Sequence, residues 1–156
     1  RIIKKKNYNY GMVVSEQQSS GKGQYGKKWI SLKGNLFVSF FCRFNHRRYT
    51  LNQLTLVNCL LVKKTLSYYY KGKIFYKKPN DLLIEKKKIC GILQEVISKQ
   101  GIKFIIIGIG INLKKNPKIF KYPTINLNDL LNKNVSKREI ESKLRKIFEA
   151  KLKQFF

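Results

Sequence analysis

The stretch K-F-I-I-I-G-I-G-I-N-L, residues 103–113, decides how the chain folds. A run of apolar, mostly β-branched residues is typical of a strand that is buried on both faces of a sheet. Gly108 and Gly110 occupy alternate positions and therefore remove the side chains from one face of this strand. Because glycine destabilises a strand interior, we expect the space above the two residues to be filled by tightly packed protein or by a flat ligand.

Apolar segments before this strand predict the rest of a sheet. Residues 78–81 and 85–88 are typical of a turn and a hairpin tip, so the strands that they join are expected to pair antiparallel. Five short β-type runs predict these strands, at residues 11–15, 34–44, 73–77, 82–84 and 89–98.

Two further segments predict helices. Leucines at helical spacing follow Thr50, a favourable N-cap, and Gly72 marks the expected stop. Ser136 and Glu139 form a capping-box pattern that begins a last helix. Residues 114–134 are rich in Asn and contain Pro, which predicts irregular structure. We therefore predict an α+β fold, with a mixed, largely antiparallel sheet flanked by at least two helices.

Composition limits the classes of function. The chain of 156 residues is long enough for one domain, and its net charge of +26 (34 Lys and Arg against 8 Asp and Glu) would suit a nucleic acid or an anionic surface. The lysines are spread from Lys4 to Lys153 rather than clustered, as expected when an A+T-rich genome sets the composition. We expect no specific nucleic-acid partner, although a non-enzymatic basic nucleic-acid-binding module remains an alternative. No apolar run approaches the ~18 residues of a membrane span, so no membrane association is expected.

The cysteines and the histidine predict no protein-held metal. Cys42, Cys59 and Cys90 are far apart in apolar surroundings, there is no C-x-x-C pair, and His46 is the only histidine. We expect buried free thiols in a cytoplasmic protein.

A glycine-rich basic stretch at residues 18–29 is a candidate ligand-binding loop. Three glycines in six positions allow backbone N–H groups to approach a ligand closely, and Lys22 adds the positive charge that suits a phosphate. Trp29 can hold the end of the loop against the sheet or stack on a ring. The pattern lacks the features of a P-loop and of a dinucleotide-binding turn, and a flexible basic hairpin is the alternative.

Lys88 is a candidate catalytic residue. It stands beside a strand that contains Gly91, and the turn at residues 77–81 supplies the carboxylate of Asp81. An ammonium facing a carboxylate is a plausible catalytic pair, and an ordinary hairpin with solvated lysines is the alternative. Asn112, after the two strand glycines, can both donate and accept hydrogen bonds.

These segments, taken in order, resemble the catalytic domain of the biotin protein ligase family. Residues 21–29 resemble the family's G-R-G-R-x-G-R-x-W loop, residues 77–81 its K-W-P-N-D motif, residues 88–93 its K-x-x-G-I-L motif and residues 108–112 its G-x-G-I-N strand. The resemblance covers about residues 11–113. It implies the catalytic fold shared by class II aminoacyl-tRNA synthetases and biotin ligases.

The resemblance also implies a two-step reaction. Biotin's carboxylate attacks the α-phosphorus of ATP, with Mg²⁺ on the phosphates, to form biotinyl-5′-AMP and pyrophosphate. A lysine of the biotin carboxyl carrier protein of acetyl-CoA carboxylase then takes the biotinyl group. A lipoate or octanoate transferase of related fold is the alternative.

The resemblance assigns roles to individual residues. Lys88 would lie between the biotin carboxylate and the α-phosphate, Asp81 would orient or deprotonate the incoming amine, and Lys22 would help to cover the acyl-adenylate. Gln18 would hydrogen-bond the ureido ring. The full set expected to contact biotin or the adenylate is Gln18, Gly21, Lys22, Gly23, Trp29, Asn80, Lys88, Gly91, Leu93, Gly108, Gly110 and Asn112.

Several positions depart from the family pattern. Lys22 and Gln24 replace arginines of the loop, so the bidentate grip of a guanidinium is lost there. Lys78 replaces a tryptophan. Nothing in residues 1–10 matches the family's Ser-Thr-Asn element, and neither a helix-turn-helix nor a C-terminal β-barrel is recognisable. We therefore expect a single catalytic domain over residues 1–156, shortened at its N-terminus. A homodimer is possible, since some family members pair through a sheet edge.

Overall fold

The computed structural model describes residues 9–44, 50–119 and 122–152. The described residues form six strands: β1 Tyr10–Ser15, β2 Leu36–Arg43, β3 Phe75–Lys77, β4 Asp81–Ile84, β5 Lys87–Lys99 and β6 Ile102–Ile111. They also form three α-helices, α1 Leu51–Leu66, α2 Leu127–Leu131 and α3 Lys137–Leu152, and a 3₁₀ turn at Gln24–Gly26.

The strands form one sheet in the order β1-β2-β6-β5-β4-β3. Within the described residues, each pairing between these strands is antiparallel. β6, the strand on which the fold prediction rests, is central and pairs with β2 on one side and β5 on the other. The predicted α+β fold is therefore confirmed.

Local capping explains where the helices begin. The Thr50 hydroxyl accepts from the Gln53 N–H, and the Gln53 side chain accepts from the Thr50 N–H, so α1 starts with a complete capping box. The helix ends at Leu66 rather than continuing to Gly72. At α3, the Ser136 hydroxyl accepts from the N–H of the third residue, as the sequence predicts.

The prediction of irregular structure over residues 114–134 is wrong in one place. The short helix α2 lies inside this stretch, and the Asn126 side chain caps it by accepting from the Asp129 N–H at 2.9 Å. Asn favours loops in general, but it is also among the best N-cap residues, so an Asn-rich segment can hide a short helix.

Helices α1 and α3 cover one face of the sheet. On this face the odd-numbered isoleucines of β6 pack with their β2 partners and with the helices, and the ring of Phe40 in β2 stacks on Phe148 of α3 with centroids 4.5 Å apart. Cys42, Cys59 and Cys90 are free and buried here, as predicted. Their burial beneath the helices makes this side of the sheet the main hydrophobic core.

The even-numbered residues of β6 lie on the opposite face. Register places Gly110 between Phe37 of β2 and Gly91 of β5, and Gly108 between Ser39 and Leu93. The predicted burial of β6 on both faces is complete only on the helix side, because Gly108 is half-buried. A loop, rather than a helix, lies over this second face of the sheet. In the part of the chain that the structure describes, no helix is both long and apolar enough to cross a bilayer.

Candidate active site

A β-bulge aims Lys88 at the open face of the sheet. Asp81 pairs with Gly91 and Leu82 with Cys90, but Leu83 then pairs with Lys88, so Ile89 is an extra residue in β5. In a regular strand, side chains three residues apart point to opposite faces, and Lys88 would face the core. The extra residue reverses the alternation and returns Lys88 to the side of Gly91.

The Lys88 ammonium is enclosed by charge and aromatic rings. The residue is only 8% exposed, and its Nζ lies 2.8 Å from Asp81 Oδ1, in an ion pair rather than an aligned hydrogen bond. The same Nζ lies 5.2 Å from the ring centroid of Trp29 and 5.3 Å from that of Tyr122. Both distances lie within the range of cation–π contacts, about 6 Å from the ring centroid. The structure thus places Lys88 and Asp81 side by side, as the sequence predicts.

The indole of Trp29 fills the slot that the strand glycines create. A Cβ built on Gly110 would lie 2.3 Å from Trp29 Cζ2, and one built on Gly91 would lie 2.6 Å from Trp29 Cζ3. Both distances are far inside van der Waals contact, so the ring can sit there only because both positions are glycine. The space above Gly91 and Gly110 is therefore filled by packed protein rather than by a flat ligand. A Cβ on Gly108 would meet nothing closer than the Leu93 carbonyl at 3.6 Å, so that position stays open.

The basic glycine-rich stretch forms a short hairpin, hereafter the flap (residues 18–29). The Trp29 N–H donates to the Gly21 carbonyl at 2.9 Å, and the Gly23 N–H donates to the Lys27 carbonyl at 2.6 Å. At the tip, Tyr25 has φ 55° and Gly26 φ 72°, which closes the turn. Trp29 anchors one end of the flap to the sheet, so the rest of the flap projects over the open face.

A cavity of about 460 Å³ lies between the flap and the open face. Its size falls within the range of small-molecule sites, about 300–1,000 Å³. The structure brings most of the sequence-predicted site residues together on its walls: Gln18, Lys22, Gly23, Trp29, Asn80, Asp81, Lys88, Gly91, Leu93, Gly108 and Gly110.

Two predicted residues are placed differently. Asn112 is 2% exposed, and its Nδ2 donates to the carbonyls of Lys88 and Ile125, both at 3.2 Å, so its side chain is inside the fold and not on the cavity wall. Gly21 lies buried within the flap, where a Cβ would come within 2.6 Å of the Trp29 carbonyl. Both residues contact neighbouring backbone groups, and their contacts with biotin or the adenylate stay predictions.

Two polar residues on the wall are partly engaged by the protein. The Gln18 side-chain carbonyl accepts from the Ser31 hydroxyl at 2.9 Å, which fixes the orientation of the amide. The Asn80 side chain donates to the Ile92 carbonyl, and the Ile92 N–H donates to the Asn80 carbonyl at 3.0 Å. Asn80 therefore clips the turn that carries Asp81 onto β5.

Sequence reasoning missed several wall residues. Val13, Phe37 and Ser39 line the cavity because they are register neighbours of the strand glycines. Their alternation was visible in the sequence, but the pairing of β1 and β2 with β6 was not. Tyr122 also lines the cavity, and it lies in a segment without a periodic pattern.

The cavity is strongly cationic. Its wall includes five lysines besides Lys88, at positions 22, 27, 28, 77 and 78, whereas its carboxylates are Asp81 and Glu95. Such a wall suits an anionic ligand. Among the described residues, no group of three or more His, Cys, Asp or Glu side chains could hold a metal ion. Burial raises the pKa of the Cys90 thiol well above its ordinary value, so this neighbour of Lys88 stays a neutral core residue rather than a nucleophile.

The sequence of this chain is similar to a known family and to individual curated proteins. The model of the biotin/lipoate A/B protein ligase family matches residues 1–112. The bifunctional ligase/repressor BirA of Escherichia coli is 36% identical over 102 residues, which are 64% of this chain and 32% of that protein. The biotin–[acetyl-CoA-carboxylase] ligase of Paracoccus denitrificans is 30% identical over 108 residues, 67% of this chain and 45% of that protein.

The fold of this chain is similar to that of a solved structure. The biotin protein ligase from Aquifex aeolicus in complex with biotin and ATP superposes with a TM-score of 0.82 at 33% identity, covering 99% of this chain and 66% of that one. The chain spans less than half the length of the two curated relatives, BirA and the Paracoccus ligase.

Proposed function

Because the chain belongs to the biotin/lipoate A/B protein ligase family, we propose that it activates biotin with ATP as biotinyl-5′-AMP and transfers the biotinyl group to a lysine of the biotin carboxyl carrier protein of acetyl-CoA carboxylase. The names of the two curated relatives and the biotin and ATP complex of the Aquifex protein support this reaction. The observation that carries the proposal is the enclosed ammonium of Lys88 at the edge of a cationic cavity of suitable size.

The first step must bring two anions together. A carboxylate oxygen forms a bond to the α-phosphorus, the bond from that phosphorus to the bridging oxygen breaks, and pyrophosphate leaves. Repulsion between the carboxylate and the phosphate is reduced by a fixed positive charge at the meeting point. Lys88 supplies this charge, because Asp81 and the two rings hold its Nζ in place.

Trp29 contributes both a wall and a hydrogen-bond donor. Its ring is fixed over Gly91 and Gly110, so it presents a flat apolar surface beside the open Gly108 and Leu93 floor. Within the described residues its buried Nε1–H has no acceptor. A bound ligand with an acceptor at this point would satisfy a donor that is otherwise costly to bury.

The flap lysines retain the intermediate less firmly than arginines would. Lys22 and its neighbours Lys27 and Lys28 place point charges over the cavity, which attract phosphate but cannot form a bidentate pair with it. We therefore propose that this flap closes on the adenylate mainly through the Trp29 anchor and through charge.

In the second step the lysine amine of the carrier attacks the acyl carbon of the mixed anhydride, the bond to the phosphate oxygen breaks, and AMP leaves. Asp81 lies beside Lys88 on the cavity wall, where its carboxylate can orient the incoming amine and take up a proton from it. Mg²⁺ would enter with the triphosphate as part of the substrate, since the cavity wall offers no cluster of acidic ligands within the described residues.

Biotin-dependent exchange of labelled pyrophosphate into ATP tests the proposal. The purified protein should catalyse this exchange, and Lys88→Ala should lower its rate by about 10²–10³-fold because a preorganised charge is removed from the transition state. Lys87→Ala is the matched control, since Lys87 is the exposed neighbour in the same strand. If Lys88→Ala and Lys87→Ala exchange equally fast, the role of Lys88 is wrong.

A competition between biotin and lipoate separates the two substrates that the family name includes. We expect biotin alone to support exchange and to label a carrier domain. If lipoate or octanoate supports exchange and biotin does not, the substrate is the alternative acid. If none of the three acids supports exchange, a ligase function is refuted.

A further inference from the structure

We infer that Lys137, the first residue of helix α3, is a positioning residue for the flap, because its ion pair with Glu16 fixes the point at which the chain enters the flap. Glu16 and Gln17 connect strand β1 to the flap and are hereafter called the lead-in. The effect of Lys137 on the retention of an acyl-adenylate rests on the proposed function, whereas its effect on the flap itself does not.

The ion pair connects two layers of the molecule. Strand β1 lies at one edge of the sheet and ends at Ser15, and the lead-in follows directly. Lys137 Nζ donates to Glu16 Oε1 at 2.7 Å. Helix α3 covers the face of the sheet that is opposite the flap, so the lysine side chain joins the helix layer to the flap at the β1 edge.

The lead-in is held by polar contacts. Its two residues and the first residues of the flap are exposed, so apolar burial does not fix them. The Ser15 hydroxyl donates to the Gln17 carbonyl, which is a local bond, and the Ser31 hydroxyl donates to the Gln18 side chain, which joins the two ends of the flap to each other. Of the side-chain hydrogen bonds of this stretch in the described part of the chain, the one from Lys137 reaches a helix.

Lys137 is a rigid attachment point. Its side chain is 19% exposed, and Ile140, Leu144 and Phe148 of the same helix are fully buried, so the first turn of α3 is fixed against the sheet. A cation in the first turn is unfavourable for a helix, because the N-terminal end of the helix dipole is positive. The carboxylate of Glu16 compensates this charge, so the pair, rather than the helix, accounts for a lysine at this position.

The pair is charged but partly open to solvent. The hydrogen bond from Lys137 lowers the pKa of the Glu16 carboxyl below its ordinary value, and the charge of Lys33 acts in the same direction. Because the Glu16 side chain is 71% exposed, the pair adds little to the stability of the whole fold. It can still shift the balance between a held and a released lead-in, since that segment has little else to hold it.

Release of synthetic biotinyl-5′-AMP from the protein tests the inference. Lys137→Met keeps the apolar stem of the side chain and removes its charge. We expect this variant to release the ligand about two- to fivefold faster, the factor that one partly exposed ion pair supplies, with an unchanged midpoint of urea unfolding. Arg145→Met is the matched control, because it removes the ion pair of Arg145 with Glu149 at 3.0 Å on the same helix, and it should release the ligand at the unsubstituted rate.

Exchange of the two charges separates positioning from a merely structural role. Glu16→Lys and Lys137→Glu should each accelerate release, and the double variant should recover slow release, because an oppositely charged pair is restored. Release from the double variant that is as fast as from the single variants would overturn the inference. Equal acceleration in Arg145→Met, or none in Lys137→Met, would overturn it as well.

Amide hydrogen exchange of the ligand-free protein gives a readout that does not need the reaction. The Trp29 N–H donates to the Gly21 carbonyl and the Gly23 N–H to the Lys27 carbonyl, so these two amides report whether the flap is closed. Lys137→Met should accelerate exchange of both by about two- to fivefold. Unchanged protection of both amides would refute the positioning role. If the unsubstituted protein does not bind biotinyl-5′-AMP, the proposed function fails, yet hydrogen exchange still decides the role of Lys137.

Discussion

Substitution of Gly110 by alanine should release Trp29 from the sheet. The added methyl group would lie 2.3 Å from Trp29 Cζ2 and 2.7 Å from Cε2, so the ring or the strand must move. The strand is fixed on both sides by β2 and β5, whereas the flap is joined to the sheet only through its ends, so we expect the indole to leave. Gly108→Ala is the matched control, because a methyl group there meets only the Leu93 carbonyl at 3.6 Å.

The contact area gives the magnitude. An aromatic side chain that packs in a protein buries about 150–250 Å². Losing roughly half of this contact, at about 25 cal/mol per Å², costs about 2–3 kcal/mol. At about 1.4 kcal/mol per tenfold change, the ratio of docked to undocked flap should fall roughly fifty-fold.

Intrinsic fluorescence measures the release directly, because Trp29 is the only tryptophan in the chain. Gly110→Ala should shift the emission to longer wavelength and increase quenching by acrylamide, with an unchanged far-UV circular dichroism spectrum, whereas Gly108→Ala should resemble the unsubstituted protein. Identical emission from Gly110→Ala and the unsubstituted protein would refute the glycine-slot argument. Equal red shifts in the two variants would show that the strand, and not the slot, had been disturbed.

Three further predictions concern stability and are checked by urea unfolding. Asn35→Ala should cost about 2–4 kcal/mol, because the buried side-chain Oδ1 of Asn35 accepts from three backbone N–H groups at 3.0 Å, and Asn35→Asp, which keeps an acceptor, should cost less. Phe148→Ala should cost about 3–5 kcal/mol through loss of a fully buried ring stacked on Phe40, and a smaller loss would contradict the packing described. Burial raises the pKa values of Cys42 and Cys59 from 9.0 to about 12, so the unfolded chain releases these protons first and the free energy of unfolding should fall as pH rises from 9 to 12. The fall should approach about 1.4 kcal/mol per pH unit for each thiol, and replacing both by alanine should reduce it and leave the part that is due to the buried Cys90 thiol.

Much of the sheet could be predicted from the sequence because its strands are short apolar runs between strong turn residues. The helix starts at Thr50 and Ser136 followed from capping chemistry, which is local and therefore readable along the chain. The end of α1 at Leu66 and the short helix α2 were missed, since they depend on packing and on one Asn acting as a cap.

The site was harder to predict because it depends on register. Strict alternation would have turned Lys88 away from Gly91, and only the bulge beside Ile89 brings them to the same side. The occupant of the glycine slot and the place of Tyr122 likewise depend on contacts between segments that are distant in sequence. The resemblance to a family located the motifs, but it did not show that the Asn112 side chain donates to the carbonyls of Lys88 and Ile125.

The odd-numbered and even-numbered residues of β6 lie on opposite faces of the sheet and have different roles. Its odd-numbered isoleucines hold the helices, whereas Ile106, Gly108 and Gly110 on the even positions face the cavity. Under the proposed function, a mutagenesis library confined to Ile106 and Gly108 would therefore vary which acyl groups the cavity accepts and leave the helix-side core unchanged. A library confined to the odd positions would change thermal stability and leave Ile106, Gly108 and Gly110 in place.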